Sequence, residues 1–331
     1  MSETVAEFMQ KPVKAYPCGR AAKKAKKTLV QAFTASDRKE AVKEGALFES
    51  IIDTVMQTKK GQETMKTLAG LGYSFAFEKG NFGGFCDPGN KKIVINPSFS
   101  FEYMLQTAVH EGRHAIQYSL EKENAPDYEN TQVASNLRMH RAIEADAVAH
   151  EMAFVYECKD VLPKVYQEAE KHDLPMFRAY VGEMEKSHDE RKAMQACFVA
   201  WYECDYYRDF YDKAHKDNIK QVCEWAKQEK ADACFKEEYP ADDVLQMCVY
   251  KGKPYMTADF LNVGKAFSIT QKDKKEIYDM VCDYAKTVPG AKEDKSVLQM
   301  RERTPEGELL PAQKNVSKTA VISAALKQKG R

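Results

Sequence analysis

The sequence predicts an α+β chain, predominantly α-helical, with a small antiparallel β-sheet ahead of one long helix and a helical C-terminal region. Three observations carry this. Residues 73–95 hold short runs of alternating apolar and polar side chains separated by glycines. Residues 101–120 place apolar side chains on one helical stripe. Residues 160–188 and 190–230 mix charged and apolar residues at helical spacing with few glycines. At 331 residues and 44% hydrophobic, the chain is long enough for a substantial core and for two domains.

The elements follow in order. Residues 1–28 carry seven Lys or Arg against two Glu, densest at Arg20–Lys27, and read as a basic, flexible segment. Tyr73, Phe75 and Phe77 alternate with Ser74 and Ala76, a strand pattern. Gly80 and Gly83-Gly84 mark loops or a bulge, Asp87-Pro88-Gly89-Asn90 a turn, and Lys91–Ile95 a returning strand. Ser98 or Ser100 can then cap a helix beginning near Phe101, whose apolar stripe runs through Leu105, Ala108, Val109, Ala115, Ile116 and Leu120. Gly112 costs this helix about 1 kcal/mol relative to Ala, and its smallness would let a neighbour approach closely.

That helix contains His110-Glu111-Gly112-Arg113-His114. Two histidines four residues apart on a helix point the same way, within reach of one metal ion. Glu111 beside the first is placed to take a proton from a water on that metal. A catalytic zinc keeps three protein ligands and one open position. A third histidine on the same segment is excluded, because Gln117 and Leu120 occupy the places it would need. A glutamate from a second helix remains, and Glu144 in Glu144-Ala145-Asp146-Ala147 supplies it, with small alanines that let the two helices pack tightly. His140, one turn earlier, is the competing ligand. Asp146 is a candidate acceptor for a histidine N–H, and Arg138 and Arg141 read as carboxylate-pairing residues.

Further on, Phe198, Trp201, Tyr202, Tyr206, Tyr207, Phe210 and Tyr211 read as one aromatic-dense helix, mainly core. Tyr202 or Tyr206 is the candidate donor to a developing oxyanion, a choice the sequence leaves open. Residues 229–289 read as a small helical module, and 290–331 as a mostly flexible tail with a short helix at 317–327.

His110-Glu111-x-x-His114, Gln117 and Glu144-Ala-Asp-Ala147 resemble the glutamate-type zincins, the gluzincins. More narrowly, Gly83-Gly84-Phe85-x-Asp87-Pro88, Ile93–Pro97 and Ala200-Trp201-Tyr202 are similar to a bacterial metallopeptidase domain family of unknown function. The resemblance covers roughly residues 47–211 and implies a zincin-like domain, here placed at 29–228. It implies one Zn2+ held by His110, His114 and Glu144, with Glu111 as general base and a peptide or protein as substrate. It also implies that an extended substrate adds to the free edge of the sheet ahead of the metal helix.

Composition narrows the alternatives. Zero net charge gives no global field toward nucleic acid or an anionic membrane. No eighteen-residue apolar run or export-type leader is evident, and nine cysteines without CxxC pairs fit reduced thiols, so a cytoplasmic protein is expected. Cys197 as a nucleophile lacks a recognisable partner. The rival class is a non-catalytic, metal-stabilised helical protein acting as an interaction module.

Overall fold

The computed structural model describes residues 15–35, 39–123, 125–172 and 174–311. It is mostly helical. Three helices come first, α1 (Arg20–Ala32), α2 (Ala41–Val55) and α3 (Lys59–Leu71). The strands β1 (Ser74–Phe77), β2 (Gly84–Asp87) and β3 (Lys92–Ile95) follow, then α4 (Phe101–Leu120) and the 29-residue α5 (Val133–Val161).

The charge of residues 20–28 suggested a flexible segment, but they belong to α1, and the expected boundary at residue 28 falls inside it. Its cations occupy one side, while Ala22, Ala25 and Leu29 are buried on the other, in a helix that packs on α3. Burial of that apolar stripe outweighs repulsion between solvated lysines. The remainder of the basic segment, residues 1–14, lies outside the described residues.

The sheet is mixed, with order β1-β3-β2, not antiparallel throughout. Gly80 and Gly83 lie in the bend ahead of β2, as expected of a loop, whereas Gly84 begins the strand. The Asp87–Asn90 turn, closed by Asn90 N–H donating to Asp87 Oδ1 at 3.0 Å, makes β2 and β3 a hairpin. This additional strand reverses the chain once more, so β3 meets β1 in the parallel sense. Consequently β2 is an edge strand lying against α4.

Ser100 caps α4 by accepting from Tyr103 N–H at 3.2 Å. At Gly112 the helix meets α3: a Cβ there would lie 2.8 Å from Thr64 Cγ2 and 3.1 Å from Leu68 Cδ1. The glycine's cost in helix propensity is thus offset by a close helix crossing.

Four helices follow: α6 (Pro163–His172), α7 (Pro175–Ser187), α8 (Glu190–Glu203) and α9 (Asp205–Glu229). The aromatic run is not one helix, because the chain leaves helical geometry at Cys204 (φ −86°, ψ 98°). This break divides the aromatics. Phe198, Trp201 and Tyr202 on α8 are buried, whereas Tyr206 and Phe210 on α9 are largely exposed.

The C-terminal part contains α10 (Ala241–Met247), the β4–β5 hairpin (Val249–Tyr250, Lys253–Pro254) and α11 (Ala258–Leu261). Beyond these come β6 (Ser268–Thr270), α12 (Gln271–Thr287), α13 (Ser296–Gln299) and β7 (Arg301–Arg303). Two hydrophobic cores form. The larger joins the first eight helices and the sheet to α10 and α11; the smaller joins the start of α5 to α9 and α12. Residues 229–289 are therefore shared between both cores. Residues 290–311 are also tied in, since Asp294 and Ser296 accept from the first N–H groups of α5, Val133 (2.8 Å) and Ala134 (3.0 Å). The expected helix at 317–327 lies outside the described residues. No helix among the described residues is long and apolar enough to cross a membrane. All nine cysteines are free.

Candidate metal centre

Packing of α4 against α5 brings His110, His114 and Glu144 together, with one ligand atom from each within 4.8 Å of the others. Each imidazole presents Nε2 to the carboxylate: His110 Nε2 lies 3.5 Å from Glu144 Oε2, and His114 Nε2 lies 3.5 Å from Oε1. These contacts are longer than good charge-assisted hydrogen bonds. Glu144 Oε2 is buried without a hydrogen-bond partner. Two imidazole nitrogens and a carboxylate oxygen around an unsatisfied buried atom fit a small divalent cation such as zinc.

The opposite ring nitrogens are fixed. His110 Nδ1 lies 3.0 Å from Glu151 Oε2, and His114 Nδ1 lies 2.8 Å from Gln117 Oε1. Gln117 spends both amide hydrogens elsewhere, on Ile143 O (2.8 Å) and Asp146 Oδ2 (2.7 Å). Its oxygen must therefore accept, so His114 Nδ1 carries a hydrogen and, when the ring is neutral, Nε2 keeps its lone pair. The Glu151 carboxylate imposes the same tautomer on His110 whenever that ring is neutral. Asp146 does not touch a ligand directly. It acts through Gln117, while itself accepting from Arg113 Nε (2.6 Å) and the Tyr255 hydroxyl (2.8 Å). Arg113 also donates to Met247 O and Val249 O. The charged residue inside the histidine motif thereby ties α4 to the β4–β5 hairpin.

Charge shapes the cluster further. Burial opposes protonation of the imidazoles, yet the carboxylates of Glu144 and Glu151 raise His110 well above its ordinary value, and Glu144 raises His114. Burial also opposes ionisation of Glu144, but the two imidazoles hold it well below the usual carboxylate range. Glu111, 8% exposed, lines an adjoining cavity. Burial pushes its carboxyl up, and the neighbouring imidazoles moderate the rise.

Other expected residues lie elsewhere. His140 is not in the cluster; its ring packs against Tyr128 (5.3 Å between centroids) and His215 (5.6 Å). Tyr202 is buried among Phe198, Trp201 and Phe260, and Tyr206 stands 76% exposed at the cavity mouth. The phenol beside the cluster is Tyr211, which burial and the adjacent Glu144 carboxylate hold well above its usual pKa, hence protonated. Burial, then the charges of Glu151 and Asp146, push the Cys197 thiol well above its ordinary value, which makes it a poor nucleophile. Arg141 pairs with Asp212 and Arg138 with Asn262, away from the cluster. Glu151 and the orienting role of Gln117 are not evident from the sequence, although Glu151 follows Glu144 by seven residues and so shares its helix face.

No curated protein and no solved structure matches the chain. One family does, over residues 22–255, a span that includes the histidine pair, Glu144 and Tyr255. The match covers well over half of the sequence, and the chain belongs to the family described as "Putative metallopeptidase family (DUF6782)".

Proposed function

We propose that the protein is a zinc-dependent metallopeptidase with a zincin-like site, in which His110, His114 and Glu144 hold one Zn2+ and Glu111 is the general base. The observation that carries this reading is the convergence of three ligand side chains beside a cavity walled by Glu111. An ion held there would lower the pKa of a water toward about 7 and polarise a carbonyl.

The chain's own residues perform the remaining work. Glu111 accepts the proton from the attacking water and delivers it to the leaving amine nitrogen. Tyr211, protonated and lining the same cavity, offers its O–H to the oxygen on which negative charge develops. Glu151 and Gln117 keep both imidazoles turned with Nε2 toward the ligand position. Edge strand β2 offers unpaired backbone groups beside Glu111, so an extended peptide can dock by strand addition.

The deciding experiment compares the wild-type chain with Glu111→Gln in metal content and peptide hydrolysis. Expected are one zinc in each and a loss of about 10²–10⁴-fold in turnover for the variant. Normal hydrolysis by Glu111→Gln rejects the general-base role. Stoichiometric zinc with no cleavage of any peptide pool by the wild type favours a non-catalytic metal protein.

A further inference from the structure

The cavity beside the cluster has a volume of about 500 Å³, within the roughly 300–1,000 Å³ typical of ligand sites. It suits a few side chains of an extended segment, not a folded domain. Its deep wall starts at the cluster itself. Val148, Glu151 and Met152 follow Glu144 by four, seven and eight residues, on one face of α5. Across from them stand Ala169 and His172 of α6, Leu174 from the connection, and Met176 and Phe177 of α7. Apart from Glu151 and His172 the recess is apolar, with its inner end at the candidate reaction centre.

Charge is distributed just as unevenly. Among the described residues no Lys, Arg or Asp lines the cavity, and their carboxylates there are Glu111 and Glu151. An acidic side chain in the recess would lose hydration and face those carboxylates with no side-chain cation except the histidines.

The mouth supplies an independent observation. Tyr206 is 76% and Phe210 60% exposed on α9, and Phe99 is 43% and Tyr103 39% exposed at the start of α4; all four line the cavity. Exposed aromatics gathered on two sides of one opening mark a binding surface. Between them Gly84 of β2 packs closely on α4: a Cβ there would lie 2.6 Å from Thr107 Cγ2 and from Val94 O and 3.2 Å from Glu111 Cγ, so the missing side chain brings the edge strand close to the base.

We propose that the cleft takes an extended polypeptide segment and selects it by a large apolar side chain beside the scissile bond, seated in the recess between α5 and the α6–α7 connection, with acidic side chains disfavoured there. The selection rests on the peptidase reading for its catalytic consequence, though not for binding.

Two measurements on the full chain separate the two claims. Zinc-loaded wild type is incubated with a random peptide pool, and cleavage sites are profiled by mass spectrometry. In parallel, zinc-loaded Glu111→Gln is titrated with matched decapeptides carrying Phe, Leu, Ala or Glu at one central position. Expected is cleavage next to Phe, Leu or Met, and binding of the Phe and Leu peptides at least tenfold tighter than the Glu peptide. Ala169→Phe should narrow the recess and move the preference toward Ala by about tenfold. Leu174→Lys should restore binding of the Glu peptide. Equal binding of all four peptides, or a profile that Ala169→Phe leaves unchanged, overturns the proposal. Selective binding without cleavage by the wild type supports the recess and overturns the peptidase reading.

Discussion

Helix α5 carries two buried charge clusters only three residues apart, and they are built to opposite rules. Around Asp212 the groups are closed on one another. Arg141 donates Nε to Oδ1 at 2.8 Å and Nη2 to Oδ2 at 2.7 Å, Arg303 adds 2.9 Å, and Ala266 O and Ser268 O take further guanidinium hydrogens. Around Glu144 both imidazole nitrogens stop at 3.5 Å and a carboxylate oxygen lacks a partner. The first arrangement gives both oxygens of Asp212 close guanidinium partners and holds the fold, although Arg303 Nε and Nη1 are buried without partners. The second leaves a buried carboxylate oxygen without a partner between two imidazoles that could share a ligand with it. Contact distance and saturation of the carboxylate, not the mere presence of buried charge, distinguish a structural ion pair from a candidate ligand site.

The largest effect expected from breaking this contrast is in stability. Asp212→Asn leaves Arg141 and Arg303 buried beside a neutral amide and should cost about 3–5 kcal/mol in denaturant unfolding. Glu144→Gln in the metal-free chain should cost less than half as much, because imidazoles can shed their protons and guanidiniums cannot. Equal costs would erase the distinction between the clusters.

Zinc sharpens it. At a hundredfold excess over its Kd, the ion should stabilise the wild type by about 2.7 kcal/mol, seen as a higher Tm that a chelator reverses. Glu144→Gln should show little of this, while Asp212→Asn, if folded, should keep it. Smaller again is the effect of the supporting shell. Gln117→Leu frees His114 to adopt either tautomer and should weaken zinc about 10–100-fold in competition with a chelator.

The pH dependence follows from the raised imidazoles. Metal binds neutral histidine, and in the metal-free chain His110 and His114 are held protonated above their ordinary 6.5. Zinc loading should therefore be complete at alkaline pH, fall as pH drops through those raised values, and release protons near neutrality in unbuffered titration. The metal-free chain should show the opposite trend. The raised histidines contribute their full stability below about 6.5 and lose it as pH rises through their folded-state values.

What sequence could anticipate follows from the range of the interactions. The histidine pair is fixed by four-residue spacing within one helix, and Glu144 by a second helix close enough in sequence to fold back. Both are short-range arguments, and these three side chains do lie together. Tyr211 is cleft-facing because Cys204 interrupts the helix, a detail hidden within an unbroken aromatic run. Strand β2 was obscured because two glycines resemble a loop until α4 is seen to need the room they leave. The boundaries near residues 28 and 290 failed for a related reason. Charge-rich segments looked solvated, whereas Leu29 and Asp294 serve partners distant in sequence.

The hydrogen bond from Tyr255 to Asp146 has a consequence for how the protein is made. At about 5–20 residues per second, the roughly 140 residues after His114 that end at Tyr255 take on the order of 7–28 s to emerge. Until then the nascent helices hold both histidines and Glu144, but Arg113 and Asp146 still await the hairpin that steadies them. The support behind the histidine motif is therefore completed late in biosynthesis, and an ion bound as proposed would be held at full strength only after the hairpin has formed.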